Sequence, residues 1–171
     1  MNITNKEYHG LVAKICRDIA NSGWRPDYVV GIVQGGLIPA VMIGNYFNIP
    51  VNTLSKEESN LWMAEDAFGY IDKNDRSDVN VASTLESRKN ILIVNDINDT
   101  GNTINNLMED WRSGCLPNDP AWKEVWNNNV KFAVIYDNVS SKSKVTVDFC
   151  GEEIAKSKKE RIVFPYENWW A

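Results

Sequence analysis

The sequence is poor in the residues that build metal centres and disulfide frameworks. Its 171 residues contain one histidine, His9, and three cysteines, Cys16, Cys115 and Cys150. The cysteines are far apart and odd in number, and no CxxC pair occurs, which argues against both a Cys/His zinc site and a disulfide scaffold. They fit small buried hydrophobes in a reducing compartment instead. No apolar run approaches the length of a membrane span. The opening MNITNKEYHG has neither a basic start nor an apolar stretch, so no secretory leader is expected and the cytoplasm is the expected location. An excess of positive charge is also lacking. With 18 Lys and Arg against 23 Asp and Glu the net charge is −5, which disfavours broad binding to nucleic acid or anionic membrane. A local basic pocket for a small phosphate compound remains compatible. Internal repeats and low-complexity tracts are absent.

What is present is the make-up of a globular chain. Hydrophobic residues reach 43%, enough for one compact domain over residues 1–171. Thr4 followed by Glu7 is a capping-box pattern. Tyr8, Leu11, Val12, Ile15, Cys16 and Ile19 then recur at helical spacing, so a helix is expected over Thr4–Asn21, stopped by Gly23 and Pro26. Tyr28–Val33 is continuously apolar, as in a strand buried on both faces. Leu37–Phe47 is expected as a helix with Pro39 in its first turn, and Val51–Leu54 as a strand. Lys56–Ser87 is polar and weakly patterned, and is expected as a long irregular loop. Asn90–Asn95 is the strongest central-strand candidate. It is followed by a turn over Asp96–Gly101 and a helix over Asn102–Ser113, with Ile104, Leu107, Met108 and Trp111 inward and Gly114 ending it. A short helix over Ala121–Asn127 and strands at Val130–Tyr136, Val145–Phe149 and Arg161–Phe164 complete the pattern. Alternation of this kind implies an α/β domain with a mostly parallel, twisted sheet flanked by helices.

Two strand-to-helix turns carry chemistry. In Asn95–Thr103 the chain leaves a strand and opens a helix, so unpaired backbone N–H groups and the helix dipole converge on one point and suit an anion. Gly101 would let the backbone approach a ligand closely, and Thr100 and Thr103 add hydroxyls. A phosphate would sit over Thr100, Gly101, Asn102 and Thr103, while Asn95 and Asp96 face vicinal hydroxyls. Asp99 would lie near a reacting atom, where a carboxylate stabilises a cation or accepts a proton. The same Asx-rich composition also suits a plain helix cap with no ligand. The second turn, Gln34-Gly35-Gly36, reads on its own residues as a plain Gly-Gly turn ahead of an anion loop.

Ile91–Thr103 (ILIVNDINDTGNT) resembles the signature of type I phosphoribosyltransferases: four apolar residues, two acids, two mostly apolar residues, then Asp-Thr-Gly-x-Thr. Asn95 stands in place of the first acid. Val29–Ala40 resembles the family's pyrophosphate loop, with Gln34 where a basic residue is usual, and the resemblance implies a cis peptide at Val33–Gln34. Arg161–Glu167 (RIVFPYE) resembles the base-end segment of the xanthine-guanine and hypoxanthine branch. There the residue at Ile162 is implied to meet the base through its backbone, with Arg161 in the place of a stacking aromatic. Asn138 falls where a lysine reads the purine oxygen, with Lys142 and Lys144 as nearby substitutes.

The resemblance thus implies a type I phosphoribosyltransferase fold with a C-terminal hood over 145–171 and a mobile flap over 56–87. It implies transfer of the phosphoribosyl group from phosphoribosyl pyrophosphate to a nitrogenous base, a purine ahead of others, in nucleotide salvage. Mg²⁺ is the implied cofactor, with Asp96 nearest the metal, Glu167 as a further acid and Asp99 as the catalytic carboxylate. Gln34, Gly35, Gly36, Asn95, Asp96, Thr100, Gly101, Asn102, Thr103 and Ile162 are the implied substrate contacts. A homo-oligomer, dimer or tetramer, is implied, with Trp169 and Trp170 at an interface or packed in the hood. The same fold also serves non-catalytic sensors of phosphoribosyl pyrophosphate or nucleotides, and Asn95, Gln34, Arg161 and Asn138 point towards that alternative.

Overall fold

The computed structural model describes residues 1–55, 60–69, 87–155, 157 and 160–171. Thr4 caps the first helix, α1 (Asn5–Ser22), through the expected box: its hydroxyl accepts from Glu7 N, and Glu7 Oε2 accepts from Thr4 N. Gly23 ends α1 in the left-handed region. β1 (Tyr28–Ile32), α2 (Leu37–Phe47) and β2 (Val51–Leu54) follow as the pattern predicts.

Two expectations are corrected next. The stretch read as irregular contains a helix, α3 (Leu61–Phe68), capped by Gly69 with a positive φ. Met63, Ala64, Ala67 and Phe68 are buried, a helical spacing that its short length and polar flanks concealed. Burying a side chain such as Met63 or Phe68 stabilises by roughly 1.5–3 kcal/mol, which fixes this turn of chain to the core. Of the expected flap, residues 56–59 and 70–86 lie outside the described residues. The central strand, β3 (Ile91–Asn98), runs three residues beyond the expected end. Asp96, Ile97 and Asn98 are therefore strand and not turn, because Ile97 and Asn98 still pair with Tyr136 and Asp137.

The helix after the turn, α4 (Asn102–Gly114), includes Gly114 and ends at Cys115, whose N–H bonds to Trp111 O and Arg112 O. Of its expected inner stripe Ile104, Leu107 and Trp111 are buried, with Met108 partly so. The short helix is a 3-10 turn over Pro120–Glu124, capped by Asp119.

β4 (Val130–Asn138) and β5 (Phe149–Ile154) complete one five-stranded sheet in the order β2-β1-β3-β4-β5, with every pairing parallel. The expected strand over Val145–Phe149 begins only at Phe149. Asp148 takes the pairing place just before it, its carboxylate accepting from Phe132 N and Asn127 Nδ2. Arg161–Phe164 is not a sheet strand either. It forms an isolated bridge with the chain start, Ile3 N to Val163 O and Val163 N to Met1 O.

Helices cover both faces. One apolar layer joins α1 and α2 to the sheet around Ile15, Ile43, Leu92 and Ile135. The other joins α3 and α4 to it around Met63, Ile93, Trp111 and Phe132. From β1 the chain crosses to β2 on one side, and from β3 it crosses to β4 on the other. The carboxyl ends of β1 and β3 are thus neighbours at a topological switch point, the place where open parallel sheets hold ligands. Among the described residues no helix is long and apolar enough to cross a membrane.

Candidate active site at the switch point

The two loaded turns meet because β1 and β3 are paired, Gly31 beside Val94. The Val33–Gln34 peptide is cis, as the resemblance implies. The loop after β1 lies directly on β3. A Cβ on Gly35 would land on the Asp96 carboxylate, and one on Gly36 would strike Val94 O and Asn95 Cα. Both positions therefore need glycine for contact with the neighbouring strand. Gly36 N donates to Ile32 O and Leu37 N donates to Gln34 O, so these two amides close the turn on itself. Gln34 is exposed at its tip.

Gln34, Gly35, Asp96 and Ile162 are brought together as walls of one cavity of about 860 Å³, which Arg161 and Tyr166 also line. Asn102 and Thr103 line a second cavity of about 570 Å³, on the α3 side, with Leu54, Leu61 and Asp110. Asp99, Thr100 and Gly101 line neither of these two cavities. The predicted contacts are thus divided between the first cavity and the opening of α4.

Asp96 is the electrostatic centre of the first cavity. Burial, and secondly the nearby Glu167 charge, push its carboxyl above the usual range, against the hydrogen bond it accepts from Ile97 N at 2.8 Å and that from Tyr166. A carboxyl raised by folding binds a proton more tightly folded than unfolded, so its ionisation removes stability as pH rises through the folded value. Asp96→Asn is therefore expected to melt higher than the parent at pH 7, with the gap closing on acidification, while Mg²⁺-dependent ligand binding falls. Paired thermal melts and calorimetry check both halves, and a lower melting point at pH 7 would contradict the assignment.

The donor set fits a hard cation, because Asp96 and Glu167 offer oxygen alone. Among the described residues no group of three His, Cys, Asp or Glu is placed to hold a metal. Asp96 and Glu167 are the carboxylates that would hold Mg²⁺, an ion that keeps waters and substrate oxygens beside one or two carboxylates. Glu167 is already engaged, accepting from Arg161 at 2.7 Å and from Phe164 N at 2.9 Å. Arg161 is consequently an exposed partner of Glu167 at the cavity rim.

Asn95 turns its amide onto Ile97 O of its own strand at 3.2 Å and is half-buried. Thr100 Oγ1 accepts from Asn102 N at 3.3 Å at the start of α4, whose cap position is Gly101. Gly101 has φ +87°, and its Cβ direction is filled by the backbone of Lys142 and Ser143. A close approach at Gly101 is made by a neighbouring loop. That loop is stapled down by Lys142 N to Thr100 O, Asn105 Nδ2 to Lys142 O and Lys144 N to Asn105 Oδ1. Lys142 and Lys144 therefore stand beside the Thr100–Thr103 turn and line neither cavity.

The sequence reading gave no role to two tyrosines. Tyr166 donates to Gly35 O and stacks on Phe164 with planes 4° apart. Tyr8 lies edge-on to both rings, and its buried hydroxyl has no hydrogen-bond partner among the described residues. Burial, and secondly Asp96, hold both phenols in their protonated form. Tyr166 sits inside the recognised RIVFPYE segment, which was the available signal. Tyr8 was indistinguishable from the apolar stripe of α1. Trp169 and Trp170 are exposed and touch each other edge-on, outside any hood packing.

The family model described as the phosphoribosyl transferase domain matches residues 4–169. No curated protein sequence matches at a significant level. Among solved structures, a purine phosphoribosyltransferase from Pyrococcus horikoshii is 18% identical with a TM-score of 0.61, over 98% of this chain and 93% of that one. A Helicobacter pylori xanthine-guanine-hypoxanthine phosphoribosyltransferase is 13% identical with a TM-score of 0.63, over 98% and 92%. A hypothetical protein from Neisseria gonorrhoeae with bound ppGpp is 19% identical with a TM-score of 0.62, over 98% and 89%. At these identities the likeness is one of fold.

Proposed function

We propose that this chain, which belongs to the phosphoribosyltransferase family and is a phosphoribosyltransferase, uses a 6-oxopurine as its acceptor in nucleotide salvage. The observation that carries this reading is the cavity beside Asp96. It is walled by Ile162, Phe164 and Tyr166 from the RIVFPYE segment and by Gln34 and Gly35 from the loop after β1. Aromatic and apolar walls suit a flat base, and the turn over Thr100, Gly101, Asn102 and Thr103 suits the 5-phosphate. Similarity to solved purine phosphoribosyltransferases supports the acceptor class by analogy.

The chemistry follows from that placement. A ring nitrogen of the purine attacks C1 of phosphoribosyl pyrophosphate, the bond from C1 to the pyrophosphate oxygen breaks, and pyrophosphate leaves with the electron pair. Asp99 accepts the proton released from the nitrogen and offers negative charge to the oxocarbenium-like ribose. Asp96, with Asn95 on the same strand, orients the ribose hydroxyls. Gln34, Gly35 and Gly36 shape the pyrophosphate side. Ile162 presents its backbone to the base. Asp96 would hold Mg²⁺, directly or through water, and the bound ion would supply positive charge against the diphosphate.

The free cysteines fit a cytoplasmic setting. The exposed Ile38, Val41 and Tyr46 of α2, with Trp169 and Trp170, fit a homo-oligomer, dimer or tetramer. The net charge of −5 gives no support to nucleic acid or membrane as a partner.

Incubation with phosphoribosyl pyrophosphate, Mg²⁺ and a panel of hypoxanthine, guanine, xanthine, adenine and pyrimidines tests the proposal. Nucleotide from a 6-oxopurine, with equimolar pyrophosphate, is expected. Preferential use of adenine or a pyrimidine would overturn the acceptor. Ligand binding with no nucleotide from any base would favour the sensor alternative.

A further inference from the structure

Asn138 occupies the position where the family resemblance places a lysine that reads the purine oxygen. The structure gives this residue different work. Asn138 ends β4, beside the carboxyl end of β3, and is buried to 6% exposure. Its Nδ2 donates to Asp99 at two points, the main-chain oxygen at 3.2 Å and Oδ1 at 3.1 Å. Its Oδ1 accepts from Ser140 N at 3.2 Å. The second contact fixes which way the amide faces, because a flipped amide would set a carbonyl against the Asp99 carboxylate and an NH₂ against an N–H.

The frame around this amide is also tied. Asn98 Nδ2 donates to Asp137 Oδ1 at 2.8 Å and to Ser141 Oγ at 2.9 Å. Ser141 N donates to Asn138 O, and Val139 N to Ile154 O. Asp99 is thus held by both its backbone and its side chain at the junction of strand and phosphate turn. A neutral amide does this without setting a full positive charge beside the group that accepts the proton.

We propose that Asn138 is a positioning residue that fixes the orientation of the Asp99 carboxylate for phosphoribosyl transfer. The proposal rests on the transfer reading above. The purine oxygen is then read from another element than the end of β4. Preorganisation of this kind contributes to turnover while leaving ligand grip to the cradle.

Two measurements on the full chain test it together. In the first, Asn138→Ala is expected to lower kcat by about tenfold to a hundredfold, the size of one hydrogen bond to a charged group. The KM for phosphoribosyl pyrophosphate should stay within about twofold. In an Asp99→Asn background the same change is expected to add nothing further, since residues acting through one another are non-additive. Asn138→Asp, which keeps the shape but sets a second carboxylate against Asp99, should lower kcat at least as far as Asn138→Ala if both fold, as circular dichroism would report. In the second, NMR of the Asn138 side-chain amide is expected to shift in Asp99→Ala, a readout independent of activity. Fully additive losses, a loss seen in KM alone, or an unmoved amide resonance would overturn the proposal. A native chain that makes no nucleotide would instead overturn the transfer reading, and the amide shift would still decide whether the contact exists.

Discussion

Asp99→Asn is expected to lower the rate of nucleotide formation by about 10²–10⁴-fold, the usual contribution of a positioned general base, and to leave affinity for phosphoribosyl pyrophosphate within a few-fold. The substitution keeps the shape of the side chain. It keeps an oxygen that can accept from Asn138 Nδ2, whose bond to Asp99 Oδ1 is 3.1 Å, and it leaves the main-chain contact at Asp99 O intact. The phosphate turn therefore stays in place, and what disappears is the capacity to take a proton and to face a cation with negative charge. Steady-state kinetics beside calorimetric binding separate the two effects. Equal losses in turnover and affinity would show that Asp99 grips the ligand and does not act on the reacting bond.

Gly101→Val is expected to abolish ligand binding and to destabilise the chain, for a reason that lies in the neighbouring loop. Gly101 has φ +87° and no room for a Cβ, since the backbone of Lys142 and Ser143 fills that space. The left-handed conformation alone costs an L residue roughly 1–2 kcal/mol. Relief of the clash must also break the bond from Lys142 N to Thr100 O and the paired bonds of Asn105 to Lys142 and Lys144. The combined loss is expected to exceed about 3 kcal/mol, in the range of severe single substitutions. For a chain of this length each kcal/mol lowers the melting temperature by roughly 2–4 °C. A variant that melts like the parent and still binds phosphoribosyl pyrophosphate would contradict both the packing and the cradle.

The elements legible from sequence were those whose burial pattern is local. The apolar stripe of α1, the capping box at Thr4 and Glu7, and the continuous apolar runs of β1 and β3 each state their partner surface in consecutive residues. The recognised motifs located the switch point correctly, because Ile91–Thr103 and Val29–Ala40 carry both a strand and the turn that ends it. What stayed hidden depends on contacts distant in sequence. The extension of β3 to Asn98 is set by pairing with Tyr136 and Asp137 on β4, which the polar composition of Asn95–Asn98 conceals. α3 is too short to show a long period, and its apolar residues find partners on the far side of the sheet. The start of β5 at Phe149 depends on Asp148 bonding Phe132 N and Asn127.

The same division holds within the site. Asp96, Gln34, Gly35 and Ile162 could be named from motifs, and the fold brings them to one cavity. Glycine at 101 could also be named, while the Lys142–Ser143 backbone packed against it lies some forty residues away in sequence. Asn138 looked like the loss of a base-reading lysine, and its hold on Asp99 emerged only from the adjacency of β3 and β4. Tyr166 and Tyr8 flank Asp96 through packing that places α1, the loop after β1 and the C-terminal segment side by side.

The most direct test of the central claim is a crystal structure of the chain with a purine nucleoside 5′-monophosphate. The 5′-phosphate is expected within hydrogen-bond distance of the backbone N–H groups of the Thr100–Thr103 turn. The ribose should lie beside Asp96, and the base in the cavity formed by Ile162, Phe164 and Tyr166. A nucleotide seated elsewhere, or one whose phosphate makes no contact with that turn, would contradict the account.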